Sequence, residues 1–292
     1  VPSLKEVRVR IESIKSTQQI TSAMKLVAAS KLRRTQNAIL ALRPYAAKLQ
    51  EILSNLSGSL DNTEEAAYTA ARPVQKAMLI VVTSNRGLCG PFNSNVIKAA
   101  RTHIASHYNE LNKQGNLDIF CIGKKGADYF KKNKYNVVKI NIEIFDGLSF
   151  QKTVEISERL MKQFTEKKYD KIEVIYNQFK NAAVQTLTVE QFLPIIPPEE
   201  EESEQAADYI FEPEKSVLVG ELIPKSLKIQ FYKTILDSFA SEHGARMTAM
   251  HQATDNAQEI LKDLRLSYNK ARQAAITKEL LEIVSGAEAL KG

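Results

Sequence analysis

His103 and His107 stand four residues apart in a segment of helical pattern, a spacing that can turn two imidazoles toward one metal ion. No third ligand stands near them, and Ile104 follows the first histidine where a zinc-hydrolase helix carries glutamate. Both are therefore expected as surface histidines. Phosphate chemistry would draw on the glycines of the segment SNRGLCGPFN, Gly87 and Gly90, or on GKKG, Gly123 to Gly126. The first lacks the GxGxxG spacing and the GxxxxGK[ST] lysine that reaches phosphate and magnesium, and the second reads as a strand-to-helix turn in which glycine serves the backbone. Nucleophilic chemistry fares no better: no serine sits in a GxSxG elbow, and Cys89 has no histidine at a recognised local spacing. Carboxylates cluster only at Glu199 to Glu204, where a paired acid and base would not be held rigid. No catalytic, cofactor-binding or metal-binding residue is expected, and no cofactor.

The bulk composition is that of a folded chain: 292 residues, 43% hydrophobic and 25% charged. The longest apolar runs, such as Ala77 to Val82, fall short of the roughly 20 residues a membrane helix needs, and the first residues show no signal-like apolar core, so a soluble or peripheral protein is expected. Cys89 and Cys121 lack a CxxC spacing and are expected as buried small hydrophobes in a reducing compartment. The net charge of +6 is concentrated near the start, where Lys5, Arg8, Arg10, Lys15, Lys25, Lys31, Arg33 and Arg34 face only Glu6 and Glu12. Such a helix suits an acidic partner, whether nucleic acid, a membrane surface or an acidic protein collar; a solvated coiled-coil flank is the alternative.

These residues need elements to hold them. From about Ser226 to Ala289 no proline occurs, and Met250, Ala253, Ala257, Leu261, Leu264, Tyr268, Ala271 and Ala275 recur in steps of three and four. A helix of that span would be roughly 95 Å long, far beyond an average globular helix. At the other end, Ser3 and Glu6 have capping-box spacing, and Leu4, Val7, Ile11 and Ile14 begin a heptad seam. The seam turns polar at Thr17, Gln18, Gln19 and Thr21 and resumes at Ile20, Met24 and Val27, a change that reads as a stutter. Pro44 is expected to bend this helix or remove one hydrogen bond, with the pattern continuing to about Leu56.

Between the two helices the period changes. Strands are expected at Ala77 to Thr83, Asp118 to Ile122, Val137 to Ile144, Ile172 to Gln178 and Gln185 to Leu193, with helices at Ser94 to Asn112, Ala127 to Lys134 and Ser149 to Lys167. The fold class that follows is mixed: a long antiparallel two-helix coiled coil formed by the N- and C-terminal helices, with an inserted α/β layer domain of Rossmann-like type. The expected divisions are 1–57 for the first helix, 74–197 for the α/β domain, 198–212 for an acidic loop and foot segment, and 213–292 for the last helix. Pro224 is expected in that helix's first turn.

Four segments carry a resemblance. Ile14 to Arg34 (IKSTQQITSAMKLVAASKLRR), Asn85 to Asn95 (NRGLCGPFNSN), Ser241 to Asn256 (SEHGARMTAMHQATDN) and Leu266 to Ala289 (LSYNKARQAAITKELLEIVSGAEA) closely resemble the gamma subunit of F-type ATP synthases. The resemblance implies a noncatalytic rotor shaft that couples proton flow through a membrane ring to ATP synthesis or hydrolysis in a hexamer of alpha and beta subunits. It implies partners in that hexamer, in the epsilon subunit and in the membrane c-ring, with no nucleic acid and no nucleotide bound directly. By similarity, Arg272, Gln273 and Thr277 match positions that contact an acidic loop of a beta subunit. Met24 and Lys25 match the face beside the beta-subunit lever, which would supply the acidic collar. Tyr209, Phe211 and Glu212 match a foot segment facing epsilon and the ring. Pro91-Phe92 departs from the family's usual Gly followed by Leu or Phe, and no inserted cysteine pair of the chloroplast kind is present. The wording of the first helix resembles bacterial members, which implies a peripheral position on the cytoplasmic face of the inner membrane.

A nucleic-acid-binding coiled coil and a nucleotide-dependent enzyme are the competing readings. The basic residues lack interleaved aromatics, and the partner helix is nearly neutral.

Overall fold

The computed structural model describes residues 3–56, 66–69, 72–195 and 215–289, which fall into two compact units, Val1–Ala28 with Met247–Gly292, and Ala29–Arg246. Helices α1 (Leu4–Leu56) and α7 (Lys215–Ala289) contribute to both. Between them come α2 (Ala66–Thr69), β1 (Ala77–Val82), α3 (Phe92–His107), α4 (Asn109–Lys113), β2 (Leu117–Ile122), α5 (Lys124–Lys132), β3 (Val137–Asn141), α6 (Phe150–Thr165), β4 (Lys171–Phe179) and β5 (Gln185–Leu193). The expected acidic loop and foot segment, with Tyr209, Phe211 and Glu212, lie outside the described residues.

In the larger unit the strands form one sheet in the order β3-β2-β1-β4-β5, parallel except for β5, which returns antiparallel to β4. Strands β1 and β2 are buried along their whole length, as the apolar run of β1 requires and as β2 matches with Asp118 alone carried inward. On one face Leu79, Val81, Ile119 and Cys121 pack with Val96, Ala100 and Ile104 of α3 and Phe130 of α5. On the other, Ile80, Val82, Phe120 and Val174 pack with Leu160 and Phe164 of α6 and with Ile223, Leu227, Phe231 and Ile235 of α7. Both cysteines are free and buried.

Several boundaries differ from the sequence reading. The helix expected from Ser94 to Asn112 breaks at Tyr108, which leaves helical geometry (φ −127°) while its hydroxyl donates to the buried Glu173 carboxylate at 2.8 Å. The GKKG segment is no free turn, because α5 starts inside it. A side chain on Gly123 (φ +100°) would sit 2.0 Å from the Thr83 carbonyl oxygen, and the Gly126 N–H donates to Thr83 Oγ1 at 2.9 Å. The third strand stops at Asn141, and Glu143–Phe145 form a 3-10 turn. Pro224 lies inside α7 instead of in its first turn. The lost backbone hydrogen bond is tolerated there because Ile223 and Leu227, on either side, are anchored in the sheet core.

From Thr234 to Arg246, α7 is buried on nearly every side. Polar residues accompany it inward: Thr234, Asp237, Ser238, Ser241, Glu242, His243 and Arg246 are all buried. Gly244 allows the close approach this needs, since a Cβ there would stand 3.1 Å from the Ala182 carbonyl oxygen in the β4–β5 turn.

In the smaller unit α1 and α7 pair antiparallel: Arg8 Nη2 donates to Tyr268 Oη at 3.3 Å, while Thr21 and Thr254, further along α1 and earlier in α7, hold their hydroxyls 2.9 Å apart. The Ser3–Glu6 capping box is formed in both directions, at 3.1 and 3.3 Å. The seam contains no stutter. Leu4, Val7, Ile11, Ile14, Gln18, Thr21, Lys25 and Ala28 are all at least half-buried and keep strict steps of three and four. The polar residues stay in register because Thr21 has a hydroxyl partner across the seam. Ile20 and Val27, expected inside it, are instead 60% and 58% exposed.

Two measurements follow from this packing. Thr21→Val or Thr254→Val alone should cost the chain about 1 kcal/mol, by leaving the other hydroxyl short of its partner. The double variant should cost clearly less than the sum, read by chemical denaturation as a double-mutant cycle; additive losses would show that the pair does not interact. The second concerns Asp237, which is 5% exposed. Burial pushes its carboxyl up to about 6, against the pull of Lys233 and Arg43 and with a push from Glu190. A raised folded value for an acid means that stability present at low pH is lost as pH rises from about 4 through about 6. Asp237→Asn should therefore gain about 2 kcal/mol over the parent at pH 8, with the gain vanishing toward pH 4. A gain independent of pH would refute this.

Candidate functional site

The loop after β1 lies at the carboxyl ends of the parallel strands, beside the point where the strand order reverses from β2 to β4. In doubly wound sheets that crevice is the usual place for a ligand. Here α7 reaches into it. Arg246 donates through Nη2 to the carbonyls of Arg86 (3.1 Å) and Gly87 (3.3 Å), and through Nη1 to Glu242 Oε1 (2.5 Å). Beneath the loop, the Ser84 hydroxyl donates to the Arg86 carbonyl at 2.6 Å, and the Asn93 amide donates to Ser84 Oγ (2.8 Å) and Cys89 Sγ (3.2 Å). Burial pushes the Cys89 thiol up, so it packs as an uncharged group with Phe92 and Ala245.

The same cluster holds His243, which burial, helped by Arg246 and Lys31, pushes down to about 3. It is therefore neutral, and its ring meets Phe239 edge-on at 4.4 Å between centroids. A carboxylate, a guanidinium and a neutral imidazole buried together can fix the loop in one conformation, with Leu88 (φ +63°) exposed at its tip. The segment SEHGARM contains all three, yet in the sequence it carried only a resemblance. The signal it offered was a run of ionisable residues spaced by small ones, which lets a helix bury them.

His103 is not a surface residue, contrary to expectation. Its Nε2 lies 2.6 Å from Glu173 Oε2, with Tyr108 on the same oxygen and Lys171 Nζ 2.8 Å from the other. These partners hold the Glu173 carboxylate below the usual range although burial pulls it upward. His107 is exposed, its ring tilted 32° to that of His103 with centroids 4.5 Å apart, so the pair's spacing serves packing and a hydrogen bond to Glu173.

Of the contact residues inferred from resemblance, Met24, Lys25, Arg272, Gln273 and Thr277 lie in the smaller unit. Met24 and Lys25 are half-buried, and beside them Ile20, Leu26 and Val27 point outward. Arg272, Gln273 and Thr277 are exposed, and the Thr277 hydroxyl donates back to the Gln273 carbonyl at 3.0 Å. Ala271 and Ala275 are half-buried, and beyond Ala275 every described residue of α7 is exposed. Ile276, Leu280, Leu281, Ile283 and Val284 give that end an exposed apolar arc that no described residue covers.

Among the described residues no helix is long and apolar enough to cross a membrane, and no group of three or more His, Cys, Asp or Glu is placed to hold a metal ion. A family model described as ATP synthase matches residues 3–290. The chain is 57% identical to the ATP synthase gamma chain of Flavobacterium johnsoniae and 52% identical to that of Cytophaga hutchinsonii, in each case over 99% of both chains. Among solved structures, a chain of the Euglena gracilis mitochondrial ATP synthase aligns over 98% of this chain and 94% of its own length, with a TM-score of 0.70 and 21% identity. A chain of the Tetrahymena thermophila mitochondrial central stalk and c-ring aligns over 80% of this chain and 99% of its own, with a TM-score of 0.57 and 23% identity. The structural likenesses speak for the fold, and the curated relatives, matched from end to end, for the family: the chain belongs to the gamma chains of ATP synthase.

Proposed function

We propose that this chain is the noncatalytic central shaft of a bacterial F-type ATP synthase, transmitting torque between a proton-driven membrane ring and a catalytic hexamer of alpha and beta subunits. The observation that carries this reading is the end of α7: single-helix girth, small residues at Ala271, Ala274 and Ala275, and a broad apolar arc from Ile276 to Val284 that is exposed among the described residues. Exposed apolar surface of that extent is stable in water only when another protein encloses it. Enclosure all round, not on one side, is what a shaft turning in a sleeve meets.

In this reading Arg272, Gln273 and Thr277 make and break hydrogen bonds with an acidic loop of each beta subunit in turn. Met24 and Lys25, with the outward Ile20, Leu26 and Val27, ride against the beta-subunit lever, where the excess positive charge of the first helix meets acidic surface. Tyr209, Phe211 and Glu212 face the epsilon subunit and the c-ring, and residues 74–197 form a noncatalytic body carried on helices 1–57 and 213–292. The chain then sits peripherally on the cytoplasmic face of the inner membrane.

Mixing the purified chain with cognate alpha and beta subunits should yield a stable complex that hydrolyses ATP, while the chain alone does not. Arg272→Ala should lower ATP hydrolysis by about tenfold, the equivalent of one charge-assisted hydrogen bond of about 1.5 kcal/mol. Melting of the isolated chain should not change, since Arg272 is exposed. Failure of the parent chain to assemble would overturn the proposal.

A further inference from the structure

At the opposite edge of the sheet from the loop clamped by Arg246, a cleft of about 320 Å³ opens between α6 and the beginnings of β1, β2 and β3. Its charges are unbalanced. Lys76, Lys139, Arg159 and Lys168 line it against a single carboxylate, Asp118. That carboxylate is already engaged: Tyr169 Oη donates to it at 2.7 Å, Asn136 Nδ2 at 2.6 Å, and Lys76 Nζ lies 3.5 Å away. Asp118 is 3% exposed and forms part of the floor of the cleft with Tyr169, which is also buried.

The remaining three cations have no carboxylate within ion-pair distance among the described residues. Two of them rest on aromatic faces instead: Lys139 Nζ lies 5.5 Å from the centre of the Phe120 ring, and Lys168 Nζ 5.7 Å from that of Tyr169. Aromatic faces hold the ammonium groups in place without neutralising them. Arg159 adds a planar fork of donors from α6.

We propose that this cleft binds a compact phosphate-bearing anion of diphosphate size. Clustered like charges repel in the empty site, and an anion that bridges them relieves the repulsion while making several charge-assisted hydrogen bonds. The volume accepts two phosphate groups with their water, and Arg159 and the two lysines approach from different walls. The site is separate from the usual nucleotide crevice, which lies at the carboxyl ends of the strands, and it does not depend on the shaft reading.

Inorganic pyrophosphate titrated calorimetrically into the full chain at low salt should bind saturably at one site. The triple variant Lys139→Gln, Arg159→Gln, Lys168→Gln should weaken that binding by about tenfold or more. A control with as many charges removed elsewhere, Lys98→Gln, Lys131→Gln, Lys132→Gln, should bind as the parent does. Sedimentation with vesicles containing phosphatidic acid distinguishes the source: loss of vesicle binding in the cleft variant, with no pyrophosphate site in the parent, would make the anion a lipid headgroup. No saturable binding of either probe, or equal weakening by both triple variants, would overturn the proposal.

Discussion

The buried ion pair between Glu242 and Arg246 is the constraint on which the larger unit's arrangement depends. Two charges removed from water are costly unless their remaining donors find acceptors, and Arg246 turns its Nη2 donors to the carbonyls of Arg86 and Gly87. The long helix and the loop after β1 are therefore fixed together. Removing either partner would leave a buried charge uncompensated. Neutral His243 fits the same logic, since a third charge beside Arg246 and Lys31 would be repelled and poorly solvated.

That constraint explains how an α/β layer with a ligand-type topology can serve a different purpose. In nucleotide-binding sheets the loop at the switch point offers backbone N–H groups to phosphate. Here the loop directs carbonyls toward a guanidinium from its own chain, the electrostatic opposite. The helix that provides the guanidinium also covers one face of the sheet with Ile223, Leu227, Phe231 and Ile235. One element thus packs the core and occupies the crevice.

Much of this was legible in the sequence, for reasons that differ by element. The buried strands β1 and β2 announced themselves as aliphatic runs, and the heptads of α1 and the end of α7 as periodic seams. The stretch from Thr234 to Arg246 did not, because a helix buried all round with small and polar side chains has no apolar stripe to detect. Tyr108 ended a helix that its neighbours favoured, since a hydrogen bond to Glu173, distant in sequence, outweighed local propensity. Ile20 and Val27 misled for the opposite reason: apolar character was taken as a sign of the seam, while Thr21 took the seam position with a hydroxyl partner that only the opposite helix reveals. Arg272, Gln273 and Thr277 are proposed as contact residues from resemblance alone, because nothing in an exposed helix face distinguishes them physically.

The misplacement of Ile20 and Val27 bears on how such a helix pair works. In a coiled coil at rest in water, the most stable choice puts apolar residues in the seam and polar ones outside. This pair does the reverse over two turns, with Thr21 and Lys25 inward and Ile20, Leu26 and Val27 outward. Stability in isolation is given up locally, and the outer surface gains an apolar patch beside the cationic residues of α1. On the proposed reading, a shaft that slides past successive identical surfaces needs an outer face without deep, specific anchoring. Short apolar side chains provide contact area with few directional bonds to break, while the Thr21–Thr254 pair keeps the helices from slipping in register as the load passes.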